Sequence, residues 1–171
     1  MTKAITAVLL TVLAVTPALA FDANQTFSKG STVLSVEAGG GHQDNLEGHR
    51  VQSGLDLLYF GARYALLPFA PAGPGILRGA FEAGLGPMLQ TYEGAAAKHA
   101  QWAGVSMQAR WHFLSLGRLV PYLEGGVAAG GTNLRVREID SQFAFLLNFG
   151  AGISVFLTDR AALYGGYRMV Q

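Results

Sequence analysis

The sequence predicts an all-β fold, an antiparallel transmembrane β-barrel, and three observations carry that prediction. Half of the 171 residues are hydrophobic and only 13% are charged, which is an apolar balance for a domain in water. No stretch after residue 20 has the roughly eighteen consecutive apolar residues that a spanning helix needs. Several segments instead alternate polar and apolar residues. A closed barrel is the other structure that satisfies its backbone inside lipid.

Residues 1–20 have the features of a cleaved signal peptide. A short basic start, "MTK", precedes an apolar run and the small residues Ala18 and Ala20. The apolar run is too short to cross a bilayer. We therefore predict export and cleavage after Ala20, which leaves residues 21–171 as one barrel domain. A short uncleaved N-terminal anchor is the alternative.

Charge and cysteine content exclude several classes of function. Without Lys3, eleven Lys and Arg residues remain and balance the eleven Asp and Glu. The chain has no basic run, so we expect no nucleic-acid partner. It has no cysteine, which excludes both disulfides and a thiol nucleophile.

The clearest predicted strand lies in residues 101–113, "QWAGVSMQARWHF". Successive strand residues point to opposite faces of a sheet, so each parity forms one face. The polar face contains Ser106, Gln108 and Arg110. The opposite face is wholly apolar and consists of Ala103, Val105, Met107, Ala109, Trp111 and Phe113. This length and pattern are typical of a transmembrane strand with its apolar face toward lipid.

Six other segments show the same alternation. They are residues 31–41, 54–66, 78–90, 119–131, 143–157 and 160–170. The segment 54–66 is the least regular, because Asp56 and Arg63 lie on opposite parities. The chain thus contains about seven strands.

The connectors between these strands predict the orientation of the barrel. Residues 42–51, 91–100 and 132–141 are long and polar, whereas 115–118 and 157–160 are short. Outer-membrane barrels place long loops outside the cell and short turns in the periplasm. Bacterial single-chain barrels also have an even number of strands. We therefore expect an eighth strand in the intact barrel, following Gln171, and regard the chain as truncated.

Three glutamates on polar faces, Glu37, Glu82 and Glu124, are the first candidates for chemistry. Paired carboxylates can act as general acid and base. They can equally be interior charges that are matched by Arg110, with Arg168 or Arg63 as further partners. The second interpretation is favoured, because side chains fill the interior of an eight-stranded barrel. His112 is interpreted as a hydrogen-bonded interior residue near the periplasmic end.

Two other groups of residues could suggest ligands. His42, Asp44 and His49 share one polar loop and could bind a metal weakly, but a solvated loop is the favoured interpretation. Four aromatic residues are interpreted as part of an interfacial belt or barrel wall rather than a ligand site, namely Tyr59, Tyr92, Trp102 and Trp111. We therefore predict no metal and no cofactor.

The C-terminal part of the chain resembles a known family. Residues 120–169 contain "PYLEGG", a polar loop, and an F-x-F pattern that leads into "NFGAGISVFLTDRAAL" and "GYR". These features are similar to those of the lipid A 3-O-deacylase (acyloxyacyl hydrolase) family of outer-membrane barrels. The resemblance implies an eight-stranded barrel in the Gram-negative outer membrane. It also implies lipid A, or lipopolysaccharide, as the partner and substrate of a serine esterase.

The catalytic residues of that family have no counterpart in this sequence. The family carries a His-x-Ser-Asn motif after the "YR" strand, and a later Glu that orients the His. None of the four histidines here is followed by x-Ser, and the motif is expected after Gln171. The chain is therefore predicted to belong to a deacylase family but to lack its catalytic residues. A non-enzymatic barrel with a structural or binding role is the alternative, and a soluble lipocalin-like carrier is disfavoured. Whether the barrel forms a homodimer is left open.

Overall fold

The computed structural model describes residues 21–42, 55–94, 97–133 and 142–171. Within them the chain forms one seven-stranded antiparallel sheet whose strands follow one another in sequence order and curl into a half-barrel. The strands are β1 (Thr32–His42), β2 (Asp56–Leu66), β3 (Gly79–Gly94), β4 (Ala97–Phe113), β5 (Leu119–Thr132), β6 (Phe143–Thr158) and β7 (Ala161–Val170). Each of the seven segments predicted as strands is a strand, so the all-β prediction is confirmed. No helix in the described parts of the chain combines the length and apolar character needed to cross a membrane.

The two faces of the sheet follow the predicted parities. On β4 the side chains of Ser106, Gln108 and Arg110 are buried inside the curl, whereas Val105 and Met107 are exposed. In the least regular segment, residues 54–66, Arg63 is buried and Asp56 is exposed. Their opposite parities therefore correspond to opposite faces of β2. The outer face carries large exposed apolar side chains on every strand, including Leu34, Leu58, Leu85, Met107, Val127, Phe145 and Leu163.

The hairpin between β3 and β4 is longer than predicted. Residues 91–100 were expected to form a long polar connector, but β3 continues to Gly94 and β4 begins at Ala97. Tyr92 pairs with Ala100 across this hairpin, and both are buried. The prediction was wrong because cross-strand pairing and burial of these inward residues outweigh the polar composition of the segment.

The remaining connectors agree with the sequence where they are described. A short 3-10 helix, Leu114–Leu116, and Gly117 join β4 to β5. Gly117 has a φ of 64°, a conformation that favours glycine. The polar connectors that begin after β1 and β5 lie largely outside the described residues, since they fall in 43–54 and 134–141.

The sequence did not predict the short helix that precedes the sheet. This helix, α1 (Ala23–Thr26), begins where the Asp22 carboxylate accepts a hydrogen bond from the backbone N–H of Asn24 at 2.9 Å. Phe27 follows it and is buried. Thr26 Oγ1 donates to the carbonyl of Asp159 in the β6–β7 turn. The N-terminal segment therefore packs across one end of the half-barrel.

The interior of the half-barrel has three layers. At the end where the long connectors lie is an apolar loop-end cluster of Leu55, Met88, Tyr92, Ala100, Trp102, Ala128 and Leu146. At the other end is an apolar turn-end cluster of Phe27, Leu67, Ala80, Leu114, Val120 and Phe156. Buried polar and charged side chains occupy the layer between them.

Candidate functional site

The middle layer of the interior is a network of three glutamates and three arginines. Six of the seven strands contribute one charge each, on the parity that faces inward. The members of this ion-pair network are Glu37 on β1, Arg63 on β2, Glu82 on β3, Arg110 on β4, Glu124 on β5 and Arg168 on β7. Acidic residues lie on odd strands and arginines on even strands, except on β7. The alternation places opposite charges on neighbouring strands.

Arg110 lies at the centre of the ion-pair network. Its Nη2 is 2.6 Å from Glu124 Oε2, and its Nε donates to the same oxygen at 3.1 Å. Its guanidinium also lies 3.8 Å from Glu82 and 3.8 Å from Glu37. The prediction that Glu82 or Glu124 is within salt-bridge reach of Arg110 is therefore confirmed, and both are.

Arg63 and Arg168 connect the remaining members. Arg63 lies 2.5 Å from Glu37 and 3.3 Å from Glu82, and it donates a hydrogen bond to Gln108. Arg168 lies 2.8 Å from Glu124 and 2.9 Å from Glu37. Every carboxylate thus faces at least two guanidinium groups. This sharing offsets the high cost of burying charge away from water.

Two neighbouring aromatic rings pack against the central guanidinium. The Arg110 Cζ lies 4.5 Å from the centre of the Tyr122 ring and 4.8 Å from that of Tyr164. Both distances are within the range for a cation–π interaction. Glycine makes room for these rings, because a Cβ at Gly152 would clash with the Tyr122 hydroxyl.

His112 extends the ion-pair network toward the turn-end cluster. Its side chain is fully buried, and its Nε2 lies 2.8 Å from Glu82 Oε2. The ring of Phe27 packs against it at a centroid distance of 4.9 Å. The interpretation of His112 as a buried, hydrogen-bonded residue is confirmed. Its Nδ1 has no hydrogen-bond partner in the described structure.

The geometry favours the structural interpretation of the glutamates over acid–base chemistry. Each carboxylate is held by arginines, so none is left poised to exchange a proton with a substrate. Two buried serines are also engaged, since Ser106 Oγ donates to the carbonyl of Gly86 and Ser154 Oγ to that of Val120. The network fills the interior and cross-links strands that are distant in sequence.

The candidate metal loop is only partly described. His42 ends β1, and its Nδ1 lies 2.6 Å from the Asp56 carboxylate in an exposed pair. Asp44 and His49 lie outside the described residues. Within residues 21–42, 55–94, 97–133 and 142–171, no group of three or more His, Cys, Asp or Glu side chains is placed to hold a metal ion.

Two of the aromatic residues predicted for a belt or wall lie inside the half-barrel. Trp102 and Tyr92 are almost fully buried in the loop-end cluster. A belt position is therefore wrong for them. The reason is visible in the alternation, because Trp102 shares the parity of Gln108 and Arg110, which faces inward. Tyr59 also takes part in the interior, since the Arg168 guanidinium lies 5.3 Å from its ring.

Sequence reasoning missed the roles of Gln108 and Tyr164. Gln108 accepts a hydrogen bond from Arg63 and one at 3.5 Å from Arg168. Tyr164, on β7, packs against the Arg110 guanidinium beside Tyr122. Both roles could have been predicted from the alternation. Gln108 lies on the same face of β4 as Arg110, and Tyr164 lies on the same face of β7 as Arg168.

Comparison of the chain with protein-family models, with curated proteins and with solved structures gives no match in any of the three.

Proposed function

We propose that the protein is an outer-membrane β-barrel protein of the lipid A 3-O-deacylase type, exported through a cleaved signal peptide. The observation that carries the membrane assignment is the contrast between the two faces of the sheet. The outer face is apolar and exposed, with Leu34 at 80% and Val36 at 86% of full exposure. The inner face carries the charges. An apolar surface of this extent marks contact with lipid or with another protein.

The contents of the interior disfavour a soluble ligand carrier. Such a carrier needs an apolar cavity inside and polar side chains outside. Here Glu82, Arg110 and Glu124 occupy the centre of the curl, and the apolar side chains face out. An arginine turned toward the middle of a bilayer would cost about 2–4 kcal/mol, so the observed orientation suits a membrane.

A matched pair of spin labels tests the membrane assignment. Met107 and Gln108 are neighbours on β4 that face opposite ways. In lipid vesicles we expect a label at Met107→Cys to collide with oxygen dissolved in lipid, and a label at Gln108→Cys to be shielded. Lipid-type accessibility at position 108 and not at 107 would contradict the proposal.

The deacylase part of the proposal is supported by the resemblance in residues 120–169. In the structure these residues supply β5, β6 and β7, which are adjacent strands of the sheet. The outward residues at the beginning of β6, Phe145 and Leu147, are exposed. In the proposed orientation this end of β6 lies in the outer leaflet, where its side chains would contact the acyl chains of lipid A.

Mass spectrometry of lipid A tests this part. We expect residues 21–171 alone to release no 3-O-linked acyl chain, because no histidine in the sequence is followed by x-Ser. The same chain extended by a family-type His-x-Ser-Asn segment and a closing strand should release it. Failure of the extended, folded chain to do so would rule out the deacylase proposal and leave the membrane assignment intact.

A non-enzymatic barrel is the second candidate, and one observation favours it. The hydroxyls of Ser106 and Ser154 and the Nε2 of His112 already have structural partners. A serine esterase needs a serine within hydrogen-bond reach of its base. Serine-dependent acyl release by residues 21–171 would contradict this candidate directly.

A further inference from the structure

The loop between β2 and β3 carries apolar side chains that the described parts of the protein leave uncovered. Phe69, Ile76 and Leu77 are all exposed, Ile76 to 78%. Leu116, in the 3-10 helix of the β4–β5 turn, is exposed as well. A backbone hydrogen bond of 2.9 Å joins the two turns. These four residues lie along the turn end of the half-barrel and are called the apolar rim.

The β2–β3 loop holds its apolar side chains in a defined conformation. Residues 67–78 contain three prolines, which restrict the backbone, and a 3-10 helix, Gly75–Leu77. Ala72 and Gly79 exchange two backbone hydrogen bonds, of 2.9 and 2.8 Å. Gly73 has a φ of 99°, and a Cβ there would lie 2.9 Å from the Leu77 carbonyl oxygen. A loop that is already ordered loses little conformational entropy when it binds.

The apolar rim continues the outer face of the sheet. The Phe69 ring packs on the Phe81 ring at a centroid distance of 6.2 Å. Phe81 faces outward, because the next residue, Glu82, is buried inside the curl. It pairs across the sheet with Trp111, which also faces outward. Aromatic side chains are enriched where a membrane meets water, so the rim lies where the lipid-facing surface ends.

Basic side chains outnumber acidic ones at the turn end. The charged residues of the described turns and of the N-terminal segment at this end are four cations and two acids, namely Lys29, Arg78, Arg118 and Arg160 with Asp22 and Asp159. All are exposed except Arg118, which is half-buried. At the loop end, by contrast, Asp56 and Glu93 are exposed acids. The turn end is therefore positively charged, and positive charge beside apolar side chains suits an anionic phospholipid.

Two of these arginines are positioned by contacts with other elements. Arg118 Nη1 donates to two backbone carbonyls of β6, at 3.1 and 3.2 Å. Its guanidinium also lies 5.8 Å from the centre of the Phe21 ring. Arg78 Nη2 donates to Asn24 Oδ1. Both charges are thus held at the same end of the half-barrel as the apolar rim, and the planar guanidinium matches the geometry of a phosphate.

We propose that the apolar rim and the cations of the turn end bind anionic glycerophospholipids of the periplasmic leaflet. The rim side chains enter the boundary between headgroups and acyl chains, and the basic side chains contact the phosphates. The inference rests on the proposed membrane assignment and deepens it, because it names the leaflet and the lipid chemistry that this end of the protein recognises. A protein bound at the rim is the alternative that the experiment separates.

Quenching of a fluorescent label by brominated lipids tests the proposal, because the chain has no cysteine of its own. The label is attached at Leu77→Cys in the apolar rim, and the protein is inserted into vesicles of phosphatidylcholine and phosphatidylglycerol. Bromine is carried on the acyl chains of one lipid and then of the other. We expect about fivefold tighter association with phosphatidylglycerol, the factor that one basic residue near an anionic surface represents.

Two further labels and one charge variant are the controls. A label at Met107→Cys, on the outer face of β4, should be quenched by both lipids alike, and one at Gln25→Cys, exposed in α1, by neither. Lys29→Gln/Arg160→Gln, combined with Leu77→Cys, should bring the preference for phosphatidylglycerol close to one, because the turn end then carries as many acids as cations. Raised salt should act in the same direction, since it screens exposed charges.

The outcomes distinguish this proposal from the membrane assignment. Quenching at position 107 but no more quenching at position 77 than at position 25 would overturn the proposal and leave the membrane assignment intact. The apolar rim would then face water or a protein. Equal association of the Leu77→Cys label with both lipids would overturn it too, since the cations would have no part. Absence of quenching at position 107 would refute the membrane assignment and this proposal with it.

Discussion

The ion-pair network and the turn-end cluster lie in the same interior but stabilise it differently. The turn-end cluster buries apolar side chains such as Leu67, Val120 and Phe156. Its contribution grows with buried area and does not depend on any single partner. The network contributes only while each charge has its partners, because an unpaired buried charge is strongly destabilising.

The two regions also connect different parts of the chain. The turn-end cluster attaches the N-terminal segment to the sheet, since Phe27 packs 5.4 Å from Phe156. The network links strands across the interior, and through Glu37 and Arg168 it reaches both edges. The cluster therefore closes one end of the half-barrel, whereas the network cross-links strands across its interior.

The largest effect should come from removing the central cation. Arg110→Met leaves Glu124 without its closest partner and takes a positive charge from Glu82 and Glu37. We expect the free energy of unfolding to fall by about 3–5 kcal/mol. Urea unfolding in detergent micelles measures it.

An exposed arginine provides the control for this substitution. Arg160→Met, in the β6–β7 turn, should change the unfolding free energy by no more than about 0.5 kcal/mol. If Arg110→Met were as mild as Arg160→Met, the network would not have the conditional character described above.

A smaller and simpler loss is expected in the turn-end cluster. Leu67 is almost fully buried, and Leu67→Ala should cost about 3 kcal/mol, within the range of about 2–5 kcal/mol for such truncations. The same unfolding assay measures it, and the exposed Leu77→Ala is the control. An equal effect of the two substitutions would show that the cluster is not packed as described.

Neutralising one carboxylate at a time distinguishes the contribution of its charge to stability from the contribution of its packing. Glu124→Gln and Glu82→Gln keep the side-chain size but weaken the hydrogen bonds to arginine or His112. We expect each to lower the unfolding free energy by about 1.5–3 kcal/mol. Glu93→Gln, exposed at the end of β3, should have little effect. Unchanged midpoints for both buried variants would refute the pairing.

The smallest effect should be at the start of α1. Asp22→Ala removes the carboxylate that accepts a hydrogen bond from the Asn24 N–H. We expect the free energy of unfolding to fall by about 1 kcal/mol. Asp22→Asn keeps an accepting oxygen and should restore most of the stability. If asparagine were no better than alanine, the capping bond would not contribute to docking of the N-terminal segment.

The sequence by itself determined the strands and their faces. The direction of a strand side chain is a local property, because it alternates from one residue to the next. The pattern in residues 101–113 by itself places Arg110 on the inward face and Met107 on the outward face. It also placed Glu82 and Glu124 on inward faces, and so predicted a charged interior.

Only the tertiary structure decided which charges meet and where the chain folds back. That Arg168 bridges Glu124 to Glu37 depends on how far the whole sheet curls, which no local pattern records. The continuation of β3 and β4 through residues predicted as a loop depends on the register that buries Tyr92 against Ala100. The docking of Phe27 on His112 likewise joins residues far apart in the chain. These features follow from packing between distant segments, and the physical reason is that their energies appear only once the strands are assembled.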